Sequence, residues 1–139
     1  MPASTNRRLP GCAFHHVAIR VRDFDRVVRF YTDGLGFSRA LSWGEGDGRA
    51  VMLNFGDGGC IEVFAGGGAE TPPEGALLHL ALCVASCDAA LAAALAAGAV
   101  QTMAPTDITI AADQGPTPVR IAFCRGLAGE VLEFMQRKT

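Results

Sequence analysis

The chain repeats itself, and this constrains its fold more than any other feature. FHHVAIRV (14–21) aligns with LLHLALCV (77–84), so His16 falls on His79. GCIEVF (59–64) aligns with EVLEFM (130–135), so Glu62 falls on Glu133. Each segment is a short apolar run, the pattern of a strand. Two imidazoles and two carboxylates at corresponding strand positions of a duplicated chain are the makings of a divalent-metal site.

The elements around these strands also repeat. In the first half a strand is predicted over 13–21, and Asp23 is a helix N-cap. Phe24, Val27, Val28, Tyr31 and Leu35 recur at helical spacing, and Gly34 and Gly36 end the helix. Three strands are predicted near 38–43, 49–55 and 59–65, separated by GEGDG and GDGG turns. In the second half a strand over 76–84 leads to a helix, CDAALAAALAAG, capped by Ser86 or Asp88 and stopped by Gly98. Strands are then predicted near 100–104, 107–112, 118–124 and 130–136. The second half is longer, with its extra residues assigned to a loop around Ala111–Pro118, and the stretch 105–118 is the candidate for a mobile lid, with the two prolines near its end arguing equally for a stiff turn. The pattern is β-α-β-β-β twice, an α+β architecture. The expected division is a tail over 1–11, a first module over 12–66, a linker over 67–75 and a second module over 76–139.

Side chains alternate across a strand, so each strand separates into two faces. Val17, Ile19, Val21, Ile61, Val63, Leu78, Leu80, Leu82, Leu132 and Phe134 form a uniformly apolar face that is expected to pack under the helices. The other face holds His16, Glu62, His79 and Glu133. Around them lie Phe14, Ala18, Arg20, Cys60, Phe64, Ala81, Cys83 and Met135. That mixture suits the lining of a ligand cavity. A buried carboxylate needs a partner, and imidazole nitrogen with carboxylate oxygen suits one divalent ion such as Zn, Ni, Co, Mn or Fe(II). Tyr31 is assigned to core packing.

Other classes are excluded by composition. The 139 residues, half of them apolar, suffice for one compact unit or two small modules sharing a core. The formal net charge of −2, with no Lys/Arg block, argues against a nucleic-acid partner. No apolar run approaches the roughly 18 residues that span a bilayer. The opening MPASTNRRLPG has no hydrophobic run after its charges and does not read as a secretory signal. Five cysteines, an odd number, fit free thiols in a reducing compartment, so a cytoplasmic location is expected.

HHVAIRVRDFDRVVRFYTDGLGF (15–37), LLHLALCV and AFCRGLAGEVLEFMQ (122–136) resemble the vicinal oxygen chelate superfamily, which holds glyoxalases, bleomycin-resistance proteins and extradiol dioxygenases. The resemblance implies two tandem βαβββ modules whose sheets curl around a shared metal cavity, often in a homodimer. It implies His16, Glu62, His79 and Glu133 as ligands of one divalent metal ion. This quartet is similar to that of glyoxalase I. Arg20 matches an arginine that binds a glutathione carboxylate there, and Phe14, Phe64 and Met135 join it as substrate-binding residues. The chain departs from glyoxalase I at Gly66, where that enzyme has Asn. It departs again at Gly126-Leu127-Ala128-Gly129, in place of Asp-Pro-Asp-Gly.

By resemblance, the reaction is proton transfer next to a carbonyl through an enediolate, with Glu133 as base and Glu62 returning the proton. The partner is then a small molecule, a glutathione or other thiol adduct. Two other readings stand beside it. One is a metal-free protein that sequesters a planar antibiotic on Trp43, Phe14, Phe55 and Phe64; the other is a thiol transferase of the fosfomycin-resistance type.

Overall fold

The computed structural model describes residues 5, 7–8, 14–68, 77, 79–112 and 115–138. Most of the expected tail, most of the linker, Cys12, and Leu78 in the strand expected over 76–84 lie outside the described residues.

Each half folds as its sequence pattern indicates. The first contains β1 (His16–Arg20), α1 (Phe24–Arg29), β2 (Ser38–Trp43), β3 (Ala50–Asn54) and β4 (Cys60–Phe64). The second contains β5 (Leu80–Cys83), α2 (Cys87–Ala96), β6 (Val100–Ala112), β7 (Gly115–Arg125) and β8 (Val131–Arg137). The sheets run β1-β4-β3-β2 and β5-β8-β7-β6. In each, the first strand lies parallel to the last, and the other pairs are antiparallel. The fold is α+β, built from two tandem modules.

Local chemistry accounts for the helix limits. The Asp23 carboxylate accepts the Arg26 N–H at 3.2 Å, satisfying a donor that the first turn leaves free. Ser86 caps α2 by accepting the Ala89 N–H at 3.1 Å. Asp88, the other cap considered, instead pairs with Arg120 at 2.7 Å. The helix predicted to run on to Gly34 does so, but α1 changes to a π-helical turn over Phe30–Gly34. A Cβ on Gly34 would stand 2.5 Å from the Ala97 Cβ, so the missing side chain lets the end of the first helix approach the end of α2.

The predicted apolar face is the core. Val51, Leu53, Ile61, Val63, Leu132 and Phe134 are buried against Val27, Val28, Leu91 and Ala94 of the helices. Burying each large side chain contributes about 1.5–3 kcal/mol. The modules are also joined by a polar contact: the buried Tyr31 hydroxyl donates to Glu130 Oε2 at 2.5 Å.

The stretch 105–118 is not a loop. β6 covers it as far as Ala112 and pairs there with β7, which begins at Gly115; 113–114 lie outside the described residues. Two register shifts, between Gln101 and Thr106, take up Pro105 in what is an edge strand, where a missing N–H costs least. Pro118 accepts the Lys138 N–H through its carbonyl at 3.2 Å, so that side of its backbone turns away from β6. Its missing N–H points the same way, and so does that of Pro116 two residues earlier, so neither removes a bond to β6.

Candidate functional site

Parallel pairing fixes the relation of each histidine to its glutamate. Ala18 stands opposite Glu62, and His16 lies two residues before Ala18. Ala81 stands opposite Glu133, and His79 lies two residues before Ala81. The same diagonal offset occurs in both modules, and the residue between, alanine in each, leaves room for the two side chains to meet.

They do meet. His16 Nε2 lies 3.6 Å from Glu62 Oε2, and His79 Nε2 lies 3.0 Å from Glu133 Oε2. The environments match as well: the imidazoles are 37% and 38% exposed, and the carboxylates 10% and 8%. Each pair therefore has a buried acid at the sheet and an imidazole at the rim. Bonds of about 2.1 Å to one ion hold adjacent donors roughly 3.0 Å apart at a right angle and roughly 3.4 Å apart at a tetrahedral angle. Both observed separations lie near those values.

The structure brings together two pairs, not four residues. Among the described residues, no three His, Cys, Asp or Glu side chains stand close enough to hold an ion within one chain. Donor type and spacing in each pair fit a borderline divalent ion. Donor number is met only if a pair from elsewhere joins.

The remaining predicted residues surround the first pair more closely than the second. Arg20 shares the open sheet face with His16, donates from Nη1 to the Ala65 carbonyl at 2.8 Å and lies 5.2 Å from the centre of the Phe64 ring. Trp43 meets Phe64 edge-on at 6.3 Å and is 45% exposed. Phe14 is 56% exposed, stacks with Phe55 at 6.5 Å, and lines a cavity of about 430 Å³ with Ala81 and Cys83 of β5. Met135 is half-buried beside Cys83 in the second module. Phe123, not singled out in the sequence, lies edge-on to His79 at 5.5 Å.

Two further residues escaped the sequence reading. His15 meets His16 through Nδ1 on both rings, at 2.8 Å; the doubled histidine was visible, but strand parity assigns the first to the opposite face. Glu130 was read only as a strand residue. Its carboxylate accepts from Tyr31, and from Ala128 N–H at 3.0 Å. Burial raises the Glu130 carboxyl above its usual range, against the lowering effect of the Tyr31 hydrogen bond. Tyr31 is itself raised, first by burial and then by the Glu130 charge. Burial pushes the Cys124 thiol up to about 11. The described cysteines are free thiols.

No helix among the described residues is long and apolar enough to cross a membrane. A comparison with curated proteins gave no match. TnmS3, an antibiotic binding protein from Streptomyces sp. CB03234, is 20% identical, with a TM-score of 0.68 over 91% of this chain and 97% of its own. TioX from Micromonospora sp. ML1 is 22% identical, with a TM-score of 0.65 over 91% of this chain and 100% of its own. A glyoxalase I mutant from Zea mays is 20% identical, with a TM-score of 0.71 over 91% of this chain and 46% of its own. At these identities the likeness is one of fold. The family model Glyoxalase/Bleomycin resistance protein/Dioxygenase superfamily matches residues 13–122, most of the chain, and the protein belongs to that superfamily.

Proposed function

We propose that the protein is a metal-dependent, glyoxalase-like lyase or isomerase whose site is completed by a second copy of the chain. The observation that supports this reading is the presence of two equivalent His/Glu pairs at ligand spacing, one per module, with no group of three such side chains able to hold an ion among the described residues. A two-fold dimer that sets the first module of one copy against the second module of the other would bring His16 and Glu62 to the partner's His79 and Glu133. Two-fold symmetry would make two such sites. Exposed apolar side chains on the open faces, Leu41 and Trp43 in the first module and Ile110 in the second, suit burial in such an interface.

When bound, a divalent ion supplies Lewis acidity that stabilises negative charge on two neighbouring substrate oxygens. His16 and His79 would hold it through Nε2. Glu133 would take the proton from the carbon beside the carbonyl, and Glu62, its counterpart, would return it on the opposite face. Arg20, on the face shared with His16, would receive a substrate carboxylate. A small-molecule thiol adduct is the substrate class proposed.

A second reading is a binding protein without catalysis. The exposed Trp43, with Phe64 and the Arg20 guanidinium beside it, favours a planar ligand, and TnmS3 shares the fold. Two experiments separate these readings. First, metal content and hemithioacetal isomerisation are measured for the wild type. Second, His16→Ala and His79→Ala chains are refolded separately and together. Restored binding in the mixture, at one site per mixed dimer, is expected for a site shared between copies. Wild type that takes up no divalent metal refutes the catalytic reading.

A further inference from the structure

We infer that His15 is a positioning residue that presets the first half-site for metal, an inference that rests on the ligand role proposed for His16. The two half-sites match in offset, exposure and donor type, yet differ in what holds the imidazole. His16 Nδ1 lies 2.8 Å from His15 Nδ1, within hydrogen-bond range. His16 Nε2 lies 3.6 Å from Glu62 Oε2, beyond the range at which an N–H donates usefully. A neutral imidazole carries one proton. Either ring can donate across the Nδ1–Nδ1 contact, and a His16 that ligates through Nε2 carries its proton on Nδ1, where His15 is the acceptor within reach. In that form the Nε2 lone pair is free toward Glu62, where an ion would bind.

The second half-site differs. His79 Nε2 is 3.0 Å from Glu133 Oε2, an ion-pair distance. The sequence has Leu78 where the first module has His15, and leucine cannot accept a hydrogen bond. The first imidazole thus has an outer partner for an Nδ1 proton that the second module's sequence does not supply at the matching position.

His15 is held well enough for this role. Its carbonyl accepts the Cys60 N–H at 2.9 Å, extending the β1–β4 ladder by one residue and fixing the backbone. Its ring meets His16 edge-on, with centroids 5.1 Å apart. With Nδ1 accepting, the His15 proton sits on Nε2 of a side chain that is exposed to water. Outer partners of this kind fix ligand tautomer and orientation, and their loss typically costs 10–100-fold in metal affinity.

The test uses the intact chain and variants His15→Phe, which keeps a ring without an acceptor, and His15→Asn, which restores an acceptor oxygen. Long-range proton–nitrogen NMR correlations on metal-free protein assign the His16 and His79 tautomers, and Co(II) titration gives affinity. The expected result is Nδ1–H on His16 in wild type. His15→Phe should move His16 toward Nε2–H and weaken Co(II) binding about 10–100-fold. His15→Asn should recover both. Nε2–H on His16 in wild type overturns the inference. So does Co(II) binding that His15→Phe leaves unchanged, or that His15→Asn abolishes as fully as His15→Phe, which would make His15 a ligand. Failure of the metal reading itself is seen separately, as wild type that binds no Co(II).

Discussion

Removing the Tyr31 hydroxyl should loosen the junction between the modules in a pH-dependent way. Tyr31→Phe keeps the ring, which packs edge-on to Phe30 at 4.9 Å and stacks on Phe37 at 5.4 Å, so the change isolates the oxygen. What is lost is one hydrogen bond to a carboxylate that burial already disfavours. A bond to a charged group is worth about 1.5–3 kcal/mol, and a buried acceptor left without its donor costs a similar amount, so about 2 kcal/mol is expected near neutral pH. For a chain of this length that lowers Tm by roughly 5–10 °C. The sign with pH follows from linkage. Glu130 has a raised folded pKa, so its contribution is present below the unfolded value and is lost as pH rises through the folded one. The Tyr31 bond lowers that folded pKa, and removing it makes the loss steeper. Wild type and variant should converge near pH 4 and separate toward pH 7. Denaturant melts of both proteins at several pH values, with Glu130→Gln as the second arm of a double-mutant cycle, measure this. A difference below about 0.5 kcal/mol at pH 7, or a gap that widens toward low pH, refutes the reasoning.

Three further perturbations have definite expected outcomes. Glu133→Gln should lower hemithioacetal turnover by about 10²–10⁴-fold if Glu133 is the base; Glu62→Gln, measured beside it, reports how unequal the two carboxylates are, and a fully active Glu133→Gln removes Glu133 from that role. Gly34→Ala forces a Cβ to within 2.5 Å of Ala97, so the helix ends must separate; a loss of about 1–3 kcal/mol, read as a lower denaturant midpoint with unchanged slope, is expected. Arg120 bonds Asp88 at 2.7 Å and Asp107 at 3.1 Å. Its hydrogen bond holds the Asp88 carboxyl below the usual range, and Lys138 together with Arg120 does the same for Asp107. Those depressed values give stability above the ordinary carboxylate range that is lost as pH falls through them. Arg120→Ala should return Asp88 toward its ordinary value in an NMR titration and flatten the fall in stability below about pH 4.

The sequence was a good guide where one residue's chemistry decides locally. Alternation within β4 and β8 put Ile61, Val63, Leu132 and Phe134 in the core and turned Glu62 and Glu133 the other way, as the structure has them. Asp23 and Ser86 were legible as caps because capping needs only a short side chain and the next turn. The extra residues of the second half misled the reading of 105–118. Each proline there signals a break, and only the pairing partners reveal that Pro105 falls at register shifts and that Pro116 and Pro118 turn their missing N–H away from β6. Tyr31 was correctly assigned to the core, but the acceptor for its hydroxyl lies 99 residues away.

The duplicated strands by themselves determined the two-module plan, the inward face of each sheet and which His and Glu residues correspond, because periodicity and residue type are properties of short segments. Tertiary structure decided how the donors are grouped. Parallel pairing of β1 with β4 and of β5 with β8 joins each histidine to the glutamate of its own module. A hydrogen-bonded ladder enforces that short distance within each sheet. The contact of His15 with His16 is likewise tertiary, since strand parity assigns the two rings to opposite faces.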